Sequence, residues 1–138
     1  MVDVLVGKQT REHRDIDIDF DSQEAEKLLK ILKKIGYEVV TDWSPVRIEL
    51  YHSDLGYLDI HPFHISNNQT IKQANLDGGW YEFEMDYFGE ANFAKRTIPC
   101  ISAKGQMIFH TGYDLREVDK HDIMNIKKLL DSDMIGDL

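Results

Sequence analysis

Acidic side chains recur at every second position of Arg14-Asp15-Ile16-Asp17-Ile18-Asp19-Phe20, and carboxylates at that spacing can hold a divalent cation. Alternate residues of an extended chain share a face and lie about 6.5 Å apart at Cα. Asp15 and Asp17 can therefore lean toward one or two ions such as Mg2+, which is commonly held by one or two carboxylates plus substrate phosphates. Crowded acids raise one another's pKa unless a positive charge balances them, and Lys8, Arg11 and Arg14 are the nearest basic residues. A third acid, Asp59, sits in Tyr57-Leu58-Asp59-Ile60-His61, where the same alternation puts Tyr57, Asp59 and His61 on one face. Two acids to clamp metal and a third to activate a hydroxyl form the set that in-line nucleotidyl transfer needs. An acidic strand face kept for solubility has the same pattern, so spacing alone leaves both readings open. Asp19, beside the next loop, reads as a strand-end or capping residue.

These residues must be positioned by a mixed α/β framework. Val2 to Val6 reads as the end of an apolar helix closed by Gly7, followed by a polar loop to His13. Arg14 to Phe20 reads as a strand with Ile16, Ile18 and Phe20 inward. Asp21 or Ser22 can cap a helix whose apolar positions are Ala25, Leu28, Leu29, Leu32 and Ile35, with Gly36 beyond its end. Tyr37 to Trp43, Val46 to His52 and Tyr57 to Pro62 read as an antiparallel meander joined by Ser44-Pro45 and Ser53-Asp54-Leu55-Gly56. Ser66 to Lys95 lacks a single period and is expected to be loops, with one strand at Trp80 to Phe83. Two more helices, Ser102 to His110 and Asp119 to Leu130, are expected to pack on the sheet's apolar side, the second through Ile123, Ile126, Leu129 and Leu130.

A chain of 138 residues suits one domain. Its 42% hydrophobic and 30% charged content excludes a disordered tail or a fibrous repeat. A net charge of −9 disfavours nucleic acid and anionic lipid as whole-surface partners. The lone Cys100 forms no internal disulfide, no apolar run reaches the roughly 20 residues that span a bilayer, and the start lacks a signal-peptide core; the expected compartment is the cytoplasm. His61 and His64 have a possible zinc spacing without a third ligand, which favours a hydrogen-bonded role. Cys100 lies in an apolar run and reads as an inert thiol, and Asp119, His121 and Asp122 read as solvated helix residues. The aromatic stretch Trp80, Tyr81, Phe83, Tyr87, Phe88 and Phe93, interleaved with Glu82, Glu84, Asp86 and Glu90, would suit an amphiphilic ligand bearing a basic amine, or core and dimer packing.

The ordered set Val2-Asp3-Val4-Leu5, Gly7-Lys8-Gln9, Arg11 through Asp21, Gly56 through Pro62, Ile98-Pro99-Cys100-Ile101-Ser102, Phe109-His110 and Gly112-Tyr113-Asp114-Leu115 closely resembles the lincosamide nucleotidyltransferases, antibiotic-resistance enzymes of the polymerase-beta-like superfamily. The resemblance runs over essentially the whole chain. It implies an α+β nucleotidyltransferase fold, a mixed and mainly antiparallel sheet with helices packed on one face, in a single domain over residues 1–138. It further implies transfer of AMP from ATP to a hydroxyl of lincomycin or clindamycin. Asp15 and Asp17 would then bind Mg2+, joined by Asp59, which would also act as general base. Arg11, Lys8 and Arg14 would contact phosphates; His61, Trp80, Tyr81, Phe88 and Glu90 are the expected substrate contacts, and a homodimer the expected assembly.

The family is also expected to carry a helix and an Asp-Gly-Gly-Trp segment before Val2-Asp3, whose amides would cradle the triphosphate; this sequence begins at Met1. The expectation is a chain short at its N-terminus that keeps a metal-binding face and binds ATP poorly. Asp77-Gly78-Gly79-Trp80 imitates the segment but reads as a turn into the Trp80 strand. Alternatives are a catalytically silent domain that retains dimerisation or antibiotic binding, and a relative that modifies another hydroxylated antibiotic or a protein.

Overall fold

Aspartate alternating with Ile16, Ile18 and Phe20 makes β1 (Asp15–Asp21) a strand with one apolar face. The computed structural model describes residues 1–136, which group into two units, His13–Met85 and Met1–Glu12 with the chain from Asp86 onward.

In the His13–Met85 unit a 3-10 turn (Ser22–Glu24), started by Asp21 accepting from the Gln23 amide, leads into α2 (Ala25–Lys34). β2 (Glu38–Trp43), β3 (Arg47–His52), β4 (Gly56–Ile65), β5 (Ile71–Ala74) and β6 (Trp80–Phe83) form an antiparallel series, and β1 joins it parallel to β4. The antiparallel meander read from the sequence is therefore present. Leu28, Leu29 and Leu32 of α2 pack on Ile18, Phe20, Ile48, Leu50, Leu58, Ile60 and Tyr37, so α2 covers the apolar face within this unit. Ile16 does not join that core: it is 43% exposed, because packing starts two residues further along β1.

The reversal from α2 into β2 requires a glycine. Gly36 has φ 107°, and a Cβ there would lie 2.9 Å from the His52 Nε2 atom. At the β5–β6 turn the amides of Asp77, Gly78 and Gly79 all donate to Asn75, two to its side chain and one to its carbonyl. Asp77-Gly78-Gly79-Trp80 is thus a turn, as expected.

The second unit contains α1 (Val2–Val6), a hairpin of β7 (Phe88–Phe93) and β8 (Arg96–Ile101), α3 (Ala103–Phe109) and α4 (Glu117–Gly136). Gly7, in the left-handed region, closes α1, and Ser102 caps α3 by accepting from the Gly105 amide. α3 and α4 pack with α1, which also contacts both hairpin strands. Ile123, Ile126, Leu129 and Leu130 form the inner stripe of α4, with Ile126 fully buried.

Three strands, β5, β7 and β8, lie where loops or no element were expected. α4 also starts two residues before Asp119, because the Asp119 carboxylate accepts the Arg116 amide and closes the first turn.

Candidate functional site

Register brings the acids of β1 and β4 together. Parallel pairing sets Asp17 opposite Asp59, while antiparallel pairing of β3 with β4 sets Glu49 on the other side of Asp59. Three carboxylates thus line one face across three neighbouring strands. His61, two residues beyond Asp59, shares that face, and its Nε2 lies 3.1 Å from Asp17 Oδ1. Asp17, Asp59 and His61 each offer a ligand atom, and these atoms lie within 4.8 Å of one another. Asp15 occupies the same face of β1 but pairs in register with Tyr57, and its Oδ2 lies 3.6 Å from Arg14 Nε.

Asp59 is buried, whereas Asp17 on the neighbouring strand is exposed. Arg47 of β3 donates to its Oδ2 at 2.5 Å and stacks over the Trp43 ring, 4.2 Å from the centroid. Asp59 Oδ1 has no hydrogen-bond partner among the described residues. A buried acceptor left without a donor is unfavourable, and a cation on that oxygen would relieve it. The donor set therefore fits a divalent ion.

The electrostatics follow from these contacts. Burial pushes the Asp59 carboxyl above the ordinary carboxylate range; Arg47 opposes this, and Asp17 and Glu49 add to it. Asp17 is held below that range chiefly by its hydrogen bond to His61. Burial alone would lower His61, but the Asp17 hydrogen bond and the charges of Asp19, Asp17 and Asp59 lift it above its usual value. Asp19 points to the Gln73 amide, and burial raises its carboxyl.

The basic residues part company. Arg14 is exposed, reaches Glu49 Oε2 at 3.3 Å and lies 5.1 Å from the Tyr57 ring centroid. Lys8 is exposed in the loop after α1. Arg11 is engaged elsewhere: its Nε and Nη2 donate to the two oxygens of Asp122 at 2.9 and 2.7 Å. That fork-to-fork pair, with Thr10 bonded to Asp3 and 3.0 Å from His121 Nε2, ties the loop to α4. Asp119, His121 and Asp122 are consequently not solvated as expected, since Asp119 and Asp122 are buried and His121 half-buried.

Of the expected substrate contacts, Trp80 and Tyr81 are exposed on β6, with Trp80 edge-on to His64 and Tyr81 stacked on Phe83. Phe88, half-buried, and Glu90, exposed, lie on β7 in the other unit. His61 and His64 sit three apart on β4 and hence on opposite faces, so they do not face a common ion. Burial raises the Cys100 thiol, consistent with an inert side chain. Arg47 and Glu49 were not foreseen. Their alternation with Ile48 was visible in the sequence, but only the register shows that they flank Asp59.

The family described as Aminoglycoside-2''-adenylyltransferase matches residues 1–126. A lincosamide resistance protein from Staphylococcus haemolyticus is 53% identical over 128 residues, 93% of this chain and 80% of that protein. The crystal structure of lincosamide antibiotic adenylyltransferase LnuA with lincomycin bound is similar at TM-score 0.83 and 53% identity, covering 93% of this chain and 81% of that one. The crystal structure of ANT(2")-Ia in complex with adenylyl-2"-tobramycin is 17% identical at TM-score 0.71, covering 98% and 78%, a likeness of fold.

Proposed function

Because the chain belongs to the Aminoglycoside-2''-adenylyltransferase family, we propose that it transfers AMP from ATP to a hydroxyl of a lincosamide such as lincomycin or clindamycin, giving antibiotic resistance. It is a nucleotidyltransferase of α+β fold with a small-molecule acceptor. The observation that carries the lincosamide reading over an aminoglycoside one is the 53% identity to a lincomycin-binding enzyme, against 17% to the tobramycin-modifying one.

Within this reading Asp15, Asp17 and Asp59 hold Mg2+, supported by the unpaired, buried Asp59 Oδ1. When bound, the ion neutralises charge on the triphosphate and the departing pyrophosphate. Arg47 fixes Asp59 through Oδ2 and leaves Oδ1 without a donor, and the Asp59 carboxylate serves as the base toward the antibiotic hydroxyl. His61 stands beside Asp17, its Nε2 3.1 Å from Oδ1, where it can contact the acceptor. Lys8 and Arg14 contact phosphates, with Arg11 contributing through the loop it anchors to α4. Trp80, Tyr81, Phe88 and Glu90 supply apolar and acidic contacts for an amphiphilic amine.

A cytoplasmic location, where ATP is at hand, belongs to the same proposal; no described helix is long and apolar enough to cross a membrane. So does a homodimer, supported by exposed Ile31, Ile35 and Val40 and read by light scattering. The deciding experiment is mass spectrometry of lincomycin incubated with the chain, ATP and Mg2+. One added AMP residue is expected; an unmodified antibiotic, or AMP found only on an aminoglycoside, overturns the reading.

A further inference from the structure

His61 is the one imidazole at the acidic face, and its position invites a chemical role beyond orienting Asp17. A ring nitrogen of His61 and one oxygen each of Asp17 and Asp59 lie within 4.8 Å of one another, the separation at which three donors can touch a single ion, and Nε2 is the nitrogen that faces Asp17. A carboxylate pair alone would be weak ground for a site. Here the second observation is Asp59 itself, 93% buried by its 7% exposure, with Oδ1 unpartnered. That oxygen cannot be satisfied by Arg47, whose guanidinium takes Oδ2.

We infer that His61 Nε2 is a direct metal ligand together with Asp17 and Asp59 Oδ1, forming a mixed nitrogen–oxygen subsite that selects a first-row transition cation of the Mn2+ class over Mg2+. The inference deepens the proposed function and rests on its premise that this face binds a divalent cation. Asp15 does not belong to this subsite: it lies in register with Tyr57 and 3.6 Å from Arg14.

The chemistry discriminates between ions. Mg2+ and Mn2+ both take carboxylate and water oxygens, but Mg2+ holds to oxygen and dehydrates reluctantly, whereas a first-row transition ion, Mn2+ the weakest of them, gains from an imidazole nitrogen. Binding requires the Nε2 lone pair, so the ring proton resides on Nδ1. If His61 merely orients Asp17, Nε2 carries the proton and donates it across the 3.1 Å contact. The two arrangements exclude each other, and each has its own signature.

The test uses the full chain with Mn2+ alone, without nucleotide or antibiotic, at about pH 8, where an ordinary imidazole is neutral. Pulsed electron paramagnetic resonance should detect strong 14N coupling from a directly bound imidazole, and the coupling should vanish in His61→Gln. Calorimetry should show Mn2+ binding about tenfold tighter than Mg2+, with His61→Gln losing about tenfold for Mn2+ and under twofold for Mg2+. Absent 14N coupling in the wild-type chain overturns the inference without reference to any variant's folding. Equal losses for both ions overturn it as well, since they signal a positioning role. A chain that shows the coupling but attaches no AMP to lincomycin would sink the proposed function and leave this subsite standing.

Discussion

At the level of single residues, the alternating acids were legible because a strand's period is two, and the spacing of Asp15, Asp17 and Asp59 needed nothing more. What the spacing did not contain was the register that puts Asp17, Asp59 and Glu49 side by side, or the burial of Asp59 under Arg47. Two outcomes are expected. Asp17→Asn and Asp59→Asn should each lower kcat/KM for AMP transfer about a thousandfold or more, several kcal/mol of lost charge stabilisation and base function, while urea unfolding keeps its cooperativity. Arg47→Gln should act through Asp59. Since Arg47 opposes the upward push of burial on that carboxyl, its loss raises the pKa further, and the acid limb of the kcat/KM profile should move to higher pH. A profile that keeps its acid limb would remove Asp59 from the role of base. The same substitution leaves a largely buried acceptor unsatisfied, which should lower stability by about 1–3 kcal/mol.

Among the elements, helices with strong apolar periodicity were read with near-correct bounds, α2 and α3 within a residue or two. The β7–β8 hairpin escaped because its two-residue turn is Ala94-Lys95, at φ 51° and 62°, in place of the Asn-Gly or Gly-Gly that announces such a turn. A side chain in the left-handed region is strained, so Lys95→Gly should stabilise the chain by about 0.5–1 kcal/mol, seen as a higher urea midpoint at constant slope. An unchanged midpoint would mean the turn relaxes elsewhere. Gly105 presents the opposite case. A Cβ there would stand 2.7 Å from Ile101 Cγ2 and 3.0 Å from the Tyr87 carbonyl oxygen. Gly105→Ala should therefore destabilise by about 1–2 kcal/mol, the crowding exceeding the helix-propensity gain of alanine. A stabilised variant would show that α3 is free to shift from the hairpin.

For the molecule as a whole, pH tests the balance of its 25 acids against 16 basic residues. Asp59 and Asp19 have folded pKa values raised by burial, and that penalty is relieved as pH falls through those raised values. His61, also raised, contributes stability that is present below its unfolded value of 6.5 and lost as pH climbs past the folded one. All three make the folded chain more stable on mild acidification, and the shrinking net negative charge acts the same way. Asp17, held low by its hydrogen bond to His61, opposes them, and so does Asp119. Its carboxyl is lowered from 3.8 to about 2 by the Arg116 side chain and amide, so its contribution is complete above the unfolded value and disappears as pH falls through the folded one. The urea midpoint should thus rise from about pH 7 to about pH 5, then fall between about pH 4 and pH 2. Asp59→Asn should flatten the rise and Asp119→Asn the final fall, each leaving the other limb in place. Mn2+ or Mg2+ should raise the midpoint at neutral pH and lose that effect as protons compete for the same carboxylates. A midpoint indifferent to both ions at neutral pH would mean that the acid face is only a solvated surface, and the proposed chemistry would fail with it.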